Sequence, residues 1–422
     1  MSEVLALKGR VLIDGTDREP LRNPVVVING GRIDDVRGDG KVPSGARLVD
    51  VSDCALMPGM MDLHLHIAAP NAQDYENTDL AHITRSPAET LLDSANNCRR
   101  LIEAGFTTIR DLDWIIPGGR NFVEERAALR DAIAAEKVLG PRIVVGGMAH
   151  ITGSHFDRIM PRNLERDPNY LADGPWEMRR LTRLNFRNGA DLIKTCISGG
   201  LGTFDCSENS LDRNIHIDEL KAMVDEAHAF RRPVAAHCHT PDSVRMAIEA
   251  GVDTVEHCVL TDDDAVSRLA TSGKYVIPTL AIREGSVIER KRARGIPDFV
   301  IQMFIEKREV CFETFRRYFK AGVRFAMGTD THVDPPFGEN ARELQIYVEL
   351  GMTPQQAIQT ATRNAADALG LLEQLGTVEK GKEADILAIA GNPLDDIGIL
   401  RNTDAMRLVL KRGRILVDRR PQ

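Results

Sequence analysis

The chain has 422 residues, with 62 acidic against 54 basic side chains and a formal charge of −8. That balance excludes a nucleic-acid binder, which needs a basic surface, and no apolar run is long enough to span a bilayer. With 43% hydrophobic and 27% charged residues the composition is that of a soluble globular protein, and the length calls for one large domain plus a smaller one.

The opening MSEVLALKGR lacks a charged segment followed by a long apolar one, so no signal peptide is expected. The seven cysteines, Cys54, Cys98, Cys196, Cys206, Cys238, Cys258 and Cys311, are odd in number and scattered. They do not form a disulfide framework. Reduced, buried thiols and a cytoplasmic location are expected.

The first stretch reads as short strands broken by Gly and Asp: VLALKGRVLIDG, PVVVINGGRIDDV and ARLVDVS. The last stretch, with ADILAIAG and MRLVLKRGRILV, has the same texture. Residues 1–57 and 377–422 are therefore expected to form one small discontinuous domain, a β-sandwich built from both termini. Between them, eight apolar β units alternate mostly with helical runs: ALMPGMMDLHLH, FTTIRDL, RIVVGGM, DLIKTCIS, PVAAHCH, DTVEHC, YVIPTLA and VRFAMGTD. This order predicts an α/β fold, a (β/α)8 TIM barrel over residues 58–376. A doubly wound open sheet would show the same alternation, but no Gly-rich dinucleotide fingerprint follows an early strand.

Candidate chemistry sits at the ends of these strands. His64 and His66 are two apart, so on a strand both imidazoles face one side. His237 and His239, His257 and Asp330 each close a β-like run, and in a barrel all such ends meet on one face. Convergent imidazoles and a carboxylate suit zinc and similar ions. Lys194 lies late in the fourth unit. An ordinary lysine is cationic at neutral pH, whereas carbon dioxide addition to its amine would give an anionic carbamate with two donor oxygens. Read locally, Lys194 is better taken as a snorkelling surface lysine.

The order His-x-His, Lys, His, His, Asp on strands one, four, five, six and eight resembles the amidohydrolase superfamily. So do PGMMDLHLH, GFTTIRDL, GADLIKTCISGG, VAAHCH, GVDTVEHC, MGTD and the closing LGTVEKGKEADILAIAGNPL. The likeness is strongest to the branch holding Xaa-Pro dipeptidases (prolidase-like), ochratoxin-hydrolysing amidases and imidazolonepropionase-like proteins. It implies two divalent metals, with zinc the best fit. His64, His66 and Asp330 would bind one and His237 and His257 the other. Carboxylated Lys194 would bridge them, and Asp330 would act as the catalytic acid-base group. A metal-bridging hydroxide would attack the amide of a small molecule such as a dipeptide or N-acyl amino acid.

The resemblance also makes His155 and His239 substrate contacts. The chain departs from relatives at Ser154, which replaces a glycine, at His239, where the prolidase-like members carry tyrosine and others histidine, and at the bulky Leu112-Asp113-Trp114. These departures keep cyclic amides, carbamates and ureas open as alternative substrates. Asp111 is expected to support the barrel, and His332 to lie near its mouth. The partners expected are a small-molecule substrate and further copies of the chain, with no nucleic acid or membrane.

Overall fold

The computed structural model describes residues 4–112, 121–158, 170–201 and 209–421, apart from the side chain of Asp79. All eight expected β units of the middle region form strands: Met60–Leu65, Phe106–Asp111, Arg142–Met148, Leu192–Cys196, Val234–Cys238, Thr254–His257, Tyr275–Ile277 and Arg324–Phe325. They pair in parallel and in chain order. The two ends of this row are also bonded. Leu63 N donates to Met327 O (2.9 Å), Thr329 N to His64 O (3.2 Å) and His66 N to Thr331 O (2.9 Å). The arrangement is TIM-barrel-like, and those bonds separate it from an open doubly wound sheet.

Gly328 permits this join. A Cβ there would lie 2.3 Å from Ile277 Cγ2 and 2.8 Å from His64 Cβ, so any side chain would push the first and eighth strands apart. Apart from Arg142, Val144 and Arg324 the strands are buried, because helices cover the outer face. The helix Pro87–Glu103 begins with a capping box between Ser86 and Glu89 and a proline in its first turn. The expected helix over GMTPQQAIQTATRNAADALG divides into Pro354–Thr360 and Arg363–Ala368. At the break the carbonyls of Thr360 and Ala361 accept from Met327 N (2.9 Å) and Met61 N (2.7 Å), so the barrel floor takes the bonds that would have continued the helix.

Both termini contribute to a second, mixed sheet. Leu5–Leu12 and the long strand Arg47–Pro58 run in parallel, and Ile386–Ile389 joins Arg47–Pro58 antiparallel. Hydrogen bonding links seven of its strands into one path, with the short Leu21–Arg22 pairing beside it on Leu5–Leu12, whereas a sandwich of two sheets was expected. Its core is apolar: Leu7, Val26, Val51, Leu56, Ile386, Leu408 and Leu410 pack together. Arg142, at the start of the third barrel strand, ties the two units together. It donates to Glu383 Oε2 (2.6 Å), Asp385 Oδ2 (3.0 Å) and Thr108 Oγ1 (2.7 Å). Among the described residues no helix is long and apolar enough to cross a membrane.

Candidate metal centre

Every strand-end residue singled out in the sequence converges at one mouth of the barrel. His64 lies in the first strand and His66 follows it; Lys194 lies in the fourth; His237 lies in the fifth and His239 follows it; His257 ends the sixth. Parallel register sets them level, with Lys194 opposite Ala235 and Cys238 opposite His257. Asp330 reaches the cluster from a loop, through a left-handed backbone at φ 57°. His257 (φ 69°), Cys258 (φ 57°) and Thr279 (φ 52°) share that unfavourable region. Such concentration of strain at a polar mouth is the pattern of a functional site.

Two donor groups result. His64, His66 and Asp330 bring one atom each within 4.8 Å of one another, and so do His237, His239 and His257. His66 Nε2 is 2.9 Å and His64 Nε2 3.6 Å from Asp330 Oδ1. The rings of His64 and His257, 4.7 Å apart, connect the two groups. Lys194 Nζ lies 3.4 Å from His64 Nε2, fully buried, with no carboxylate in ion-pair reach among the described residues.

Burial governs the electrostatics. It lowers the pKa of His64 to about 4, with Lys194 adding to the effect. It also lowers those of His237, His239 and His257 well below the ordinary histidine range. Neutral imidazoles with available lone pairs follow. Burial likewise lowers the pKa of Lys194, favouring the uncharged amine. Burial alone would raise the Asp330 carboxyl, but His64 and His66 hold it well below the usual carboxylate range. Neutral imidazoles, an ionised carboxylate and a buried amine form a donor set that fits divalent ions.

The expected substrate contacts are also here. The ring of His155 stacks on that of His237 at 5.1 Å. It packs against Gly200, where a Cβ would meet it at 2.3 Å. His239 stands with His237 and His257 in the second donor group rather than apart from it, and among the described residues its buried Nδ1 has no hydrogen-bond partner. The buried Ser154 Oγ likewise has none among the described residues. His332 lies at the rim, its Nδ1 2.6 Å from Asp330 O. Asp111 is structural: it accepts from Arg126 Nη1 (2.7 Å) and Ile67 N (3.1 Å). Asp113, Trp114 and Cys206 lie outside the described residues; the other six cysteines are buried thiols.

Several supporting residues escaped the sequence reading. Glu256, buried beside His257, accepts from Arg110 Nη2 (2.8 Å) and Thr254 Oγ1 (2.6 Å) and lies 2.7 Å from His64 Nδ1. Burial pushes its carboxyl up, but Arg110 and His64 outweigh that and hold its pKa at about 2. A carboxylate on Nδ1 orients the ring and leaves Nε2 facing the site. Asp62 accepts from His64 N (3.0 Å), Thr329 Oγ1 (2.6 Å) and Asn340 Nδ2 (2.8 Å), fixing Asp330's loop to the first strand. Its signal was present, since positions 62, 64 and 66 share one strand face. Thr279 Oγ1 lies 2.7 Å from His257 Nδ1; nothing in a lone threonine after a strand announces this.

Comparison with known proteins agrees with this geometry. Residues 55–416 match the amidohydrolase family. The chain belongs to that family. It is 31% identical to an ochratoxinase of Aspergillus niger over 98% of this chain and 87% of that protein. The A. niger ochratoxinase structure superposes with a TM-score of 0.84 at 29% identity, covering 99% and 96% of the two chains. A Xaa-Pro dipeptidase structure with bound methionine gives 0.88 at 29% identity over 98% and 99%. An imidazolonepropionase of Cutibacterium acnes is 25% identical over 89% of this chain and 86% of its own length. As an amidohydrolase the chain is a hydrolase acting on carbon–nitrogen bonds.

Proposed function

We propose that this amidohydrolase cleaves the amide bond of a small molecule, of the dipeptide or N-acyl amino acid class, at a two-metal centre in the barrel mouth. The observation that carries the reading is the pair of donor groups, His64/His66/Asp330 and His237/His239/His257, beside a buried Lys194 that has no carboxylate in ion-pair reach among the described residues. His64, His66 and Asp330 would hold one divalent ion, and His237 and His257 the other. Lys194 would stand between them as a carbamate, since an uncharged buried amine is the form that adds carbon dioxide. Such ions, zinc being the best fit, supply a Lewis acid and a nucleophile at neutral pH.

The rest of the chemistry belongs to the chain. Asp330 sits beside both first-strand histidines and is ionised. It takes the proton released on attack at the carbonyl and returns it to the departing nitrogen. Glu256 and Thr279 hold the rings of His64 and His257 in one orientation. His155, stacked on His237, and His239 face the space the acyl group would occupy. The likeness to an amide-cleaving ochratoxinase and to a Xaa-Pro dipeptidase supports the substrate class.

Elemental analysis of protein purified without chelator, with bicarbonate present, tests the centre. We expect close to two divalent ions per chain, falling sharply in Lys194→Ala. One ion, indifferent to that substitution, sinks the bridged centre. A panel of dipeptides, N-acyl amino acids, aryl amides and cyclic amides tests the reaction. Turnover confined to the cyclic amides would move the substrate class, and no turnover by the metal-loaded protein would end the reading.

A further inference from the structure

Among the described residues four arginines are buried: Arg85, Arg110, Arg126 and Arg283. Three are paired with a carboxylate: Arg85 with Asp93 at 2.6 Å, Arg110 with Glu256 at 2.8 Å and Arg126 with Asp111 at 2.7 Å. Arg283 is not. It is 4% exposed, and its one polar contact is a long one, from Nη2 to Leu201 O at 3.4 Å. Its guanidinium lies over the ring of Phe304, 4.6 Å from the centroid. No carboxylate is in ion-pair reach of it among the described residues. A desolvated guanidinium offers five N–H donors and is costly to bury without an anion.

The place of Arg283 explains the missing partner. It ends the turn Ala281–Arg283 that follows the seventh barrel strand. Glu343 fixes that turn, accepting from Leu280 N (2.8 Å) and Ala281 N (2.6 Å). Thr279, just ahead of the turn, holds His257. Leu201, which Arg283 touches, follows directly on Gly199 and Gly200, against which His237 and His155 pack. The guanidinium is also near enough for its charge to bear on His239 and Asp330. A second buried cation, Lys291, shares the Phe304 ring at 4.9 Å and likewise has no ion pair among the described residues. Cys311, its other neighbour of possible negative charge, is kept a neutral thiol by burial.

We propose that Arg283 anchors a carboxylate of the substrate, so that the amides cleaved here are anions bearing that group on the side of the seventh-strand turn. Arginine suits the task because its planar fork meets a carboxylate with two parallel hydrogen bonds. Lys291 reinforces the field behind it. The inference rests on the amide-hydrolase reading above and assigns the residue that holds the carboxylate which a dipeptide or N-acyl amino acid carries.

The test compares N-benzoyl-L-phenylalanine with N-benzoyl-L-phenylalaninamide on the metal-loaded protein, following benzoate release. We expect kcat/KM to favour the acid by about 30-fold or more, the scale of one desolvated charge pair. Arg283→Met should remove that preference, mainly through KM, and Arg283→Lys should keep part of it. Equal cleavage of acid and amide by the unaltered enzyme, or a preference that survives Arg283→Met, overturns the anchor and leaves the hydrolase reading standing.

Calorimetry with 3-phenylpropionate against 3-phenylpropanamide provides a readout independent of turnover. If the metal-loaded protein cleaves none of the amide panel above but 3-phenylpropionate binds in an Arg283-dependent way, the anchor stands and the amide-hydrolase reading falls. Absent binding, or binding indifferent to Arg283→Met, counts against the anchor. Metal content and near-ultraviolet dichroism of each variant separate loss of the anchor from loss of the fold.

Discussion

At the barrel mouth the chain buries histidines, carboxylates, a lysine and arginines on backbone with several left-handed residues, whereas the terminal sheet buries leucine, valine and isoleucine on extended strands. The two regions meet through Arg142, yet the physics that holds each differs. In the sheet, area removed from water does the work, and each residue contributes nearly independently. In the mouth, each polar group needs a partner, and partners depend on one another. Stability and activity should therefore separate: changes in the sheet should cost the first, and changes in the mouth the second or both.

Asp330→Asn should break the contrast most sharply. It keeps the shape of the side chain but removes the proton acceptor, so kcat should fall roughly 10²–10⁴-fold while the melting temperature of the protein holds. Turnover at the parent rate would remove Asp330 from the mechanism. Glu256→Gln should show the two effects together. It leaves Arg110 buried without its counter-charge, at a cost of about 3–5 kcal/mol in denaturant unfolding. It also loosens His64, so metal affinity by competitive chelation should drop about 10–100-fold.

Leu408→Ala in the terminal sheet should cost about 3 kcal/mol of stability, with kcat/KM unchanged below the new melting point. A parallel loss of activity would show the sheet to be coupled to the mouth. Arg142→Met should have the smallest effect, about 1–2 kcal/mol from its charge-assisted hydrogen bonds. Limited proteolysis should then release the terminal strands sooner than in the parent protein.

How far the sequence could be read depended on whether a signal was local. Apolar runs are local, and they located all eight barrel strands, so that His64, His66, Lys194, His237, His257 and Asp330, late in or just after five of them, come to one face. Seven of the strands flanking the barrel, from Leu5–Leu12 to Arg414–Asp418, were equally visible as β-branched runs cut by Gly and Asp. Glu256 was half visible: a carboxylate inside an otherwise apolar strand next to His257 asks for a buried partner, but only the fold supplies Arg110, 146 positions away.

By itself, then, the sequence determined the periodicities, and through them which residues face the barrel mouth and which the apolar cores, because a strand's alternation and a glycine's lack of a Cβ act within a few residues. Tertiary structure alone decided which buried charges are matched. It paired Arg110 with Glu256 and Arg126 with Asp111, and among the described residues it left Arg283 and Lys194 without an acid in ion-pair reach. Charge pairing depends on distance in space, and ring closure sets those distances between residues far apart in the chain.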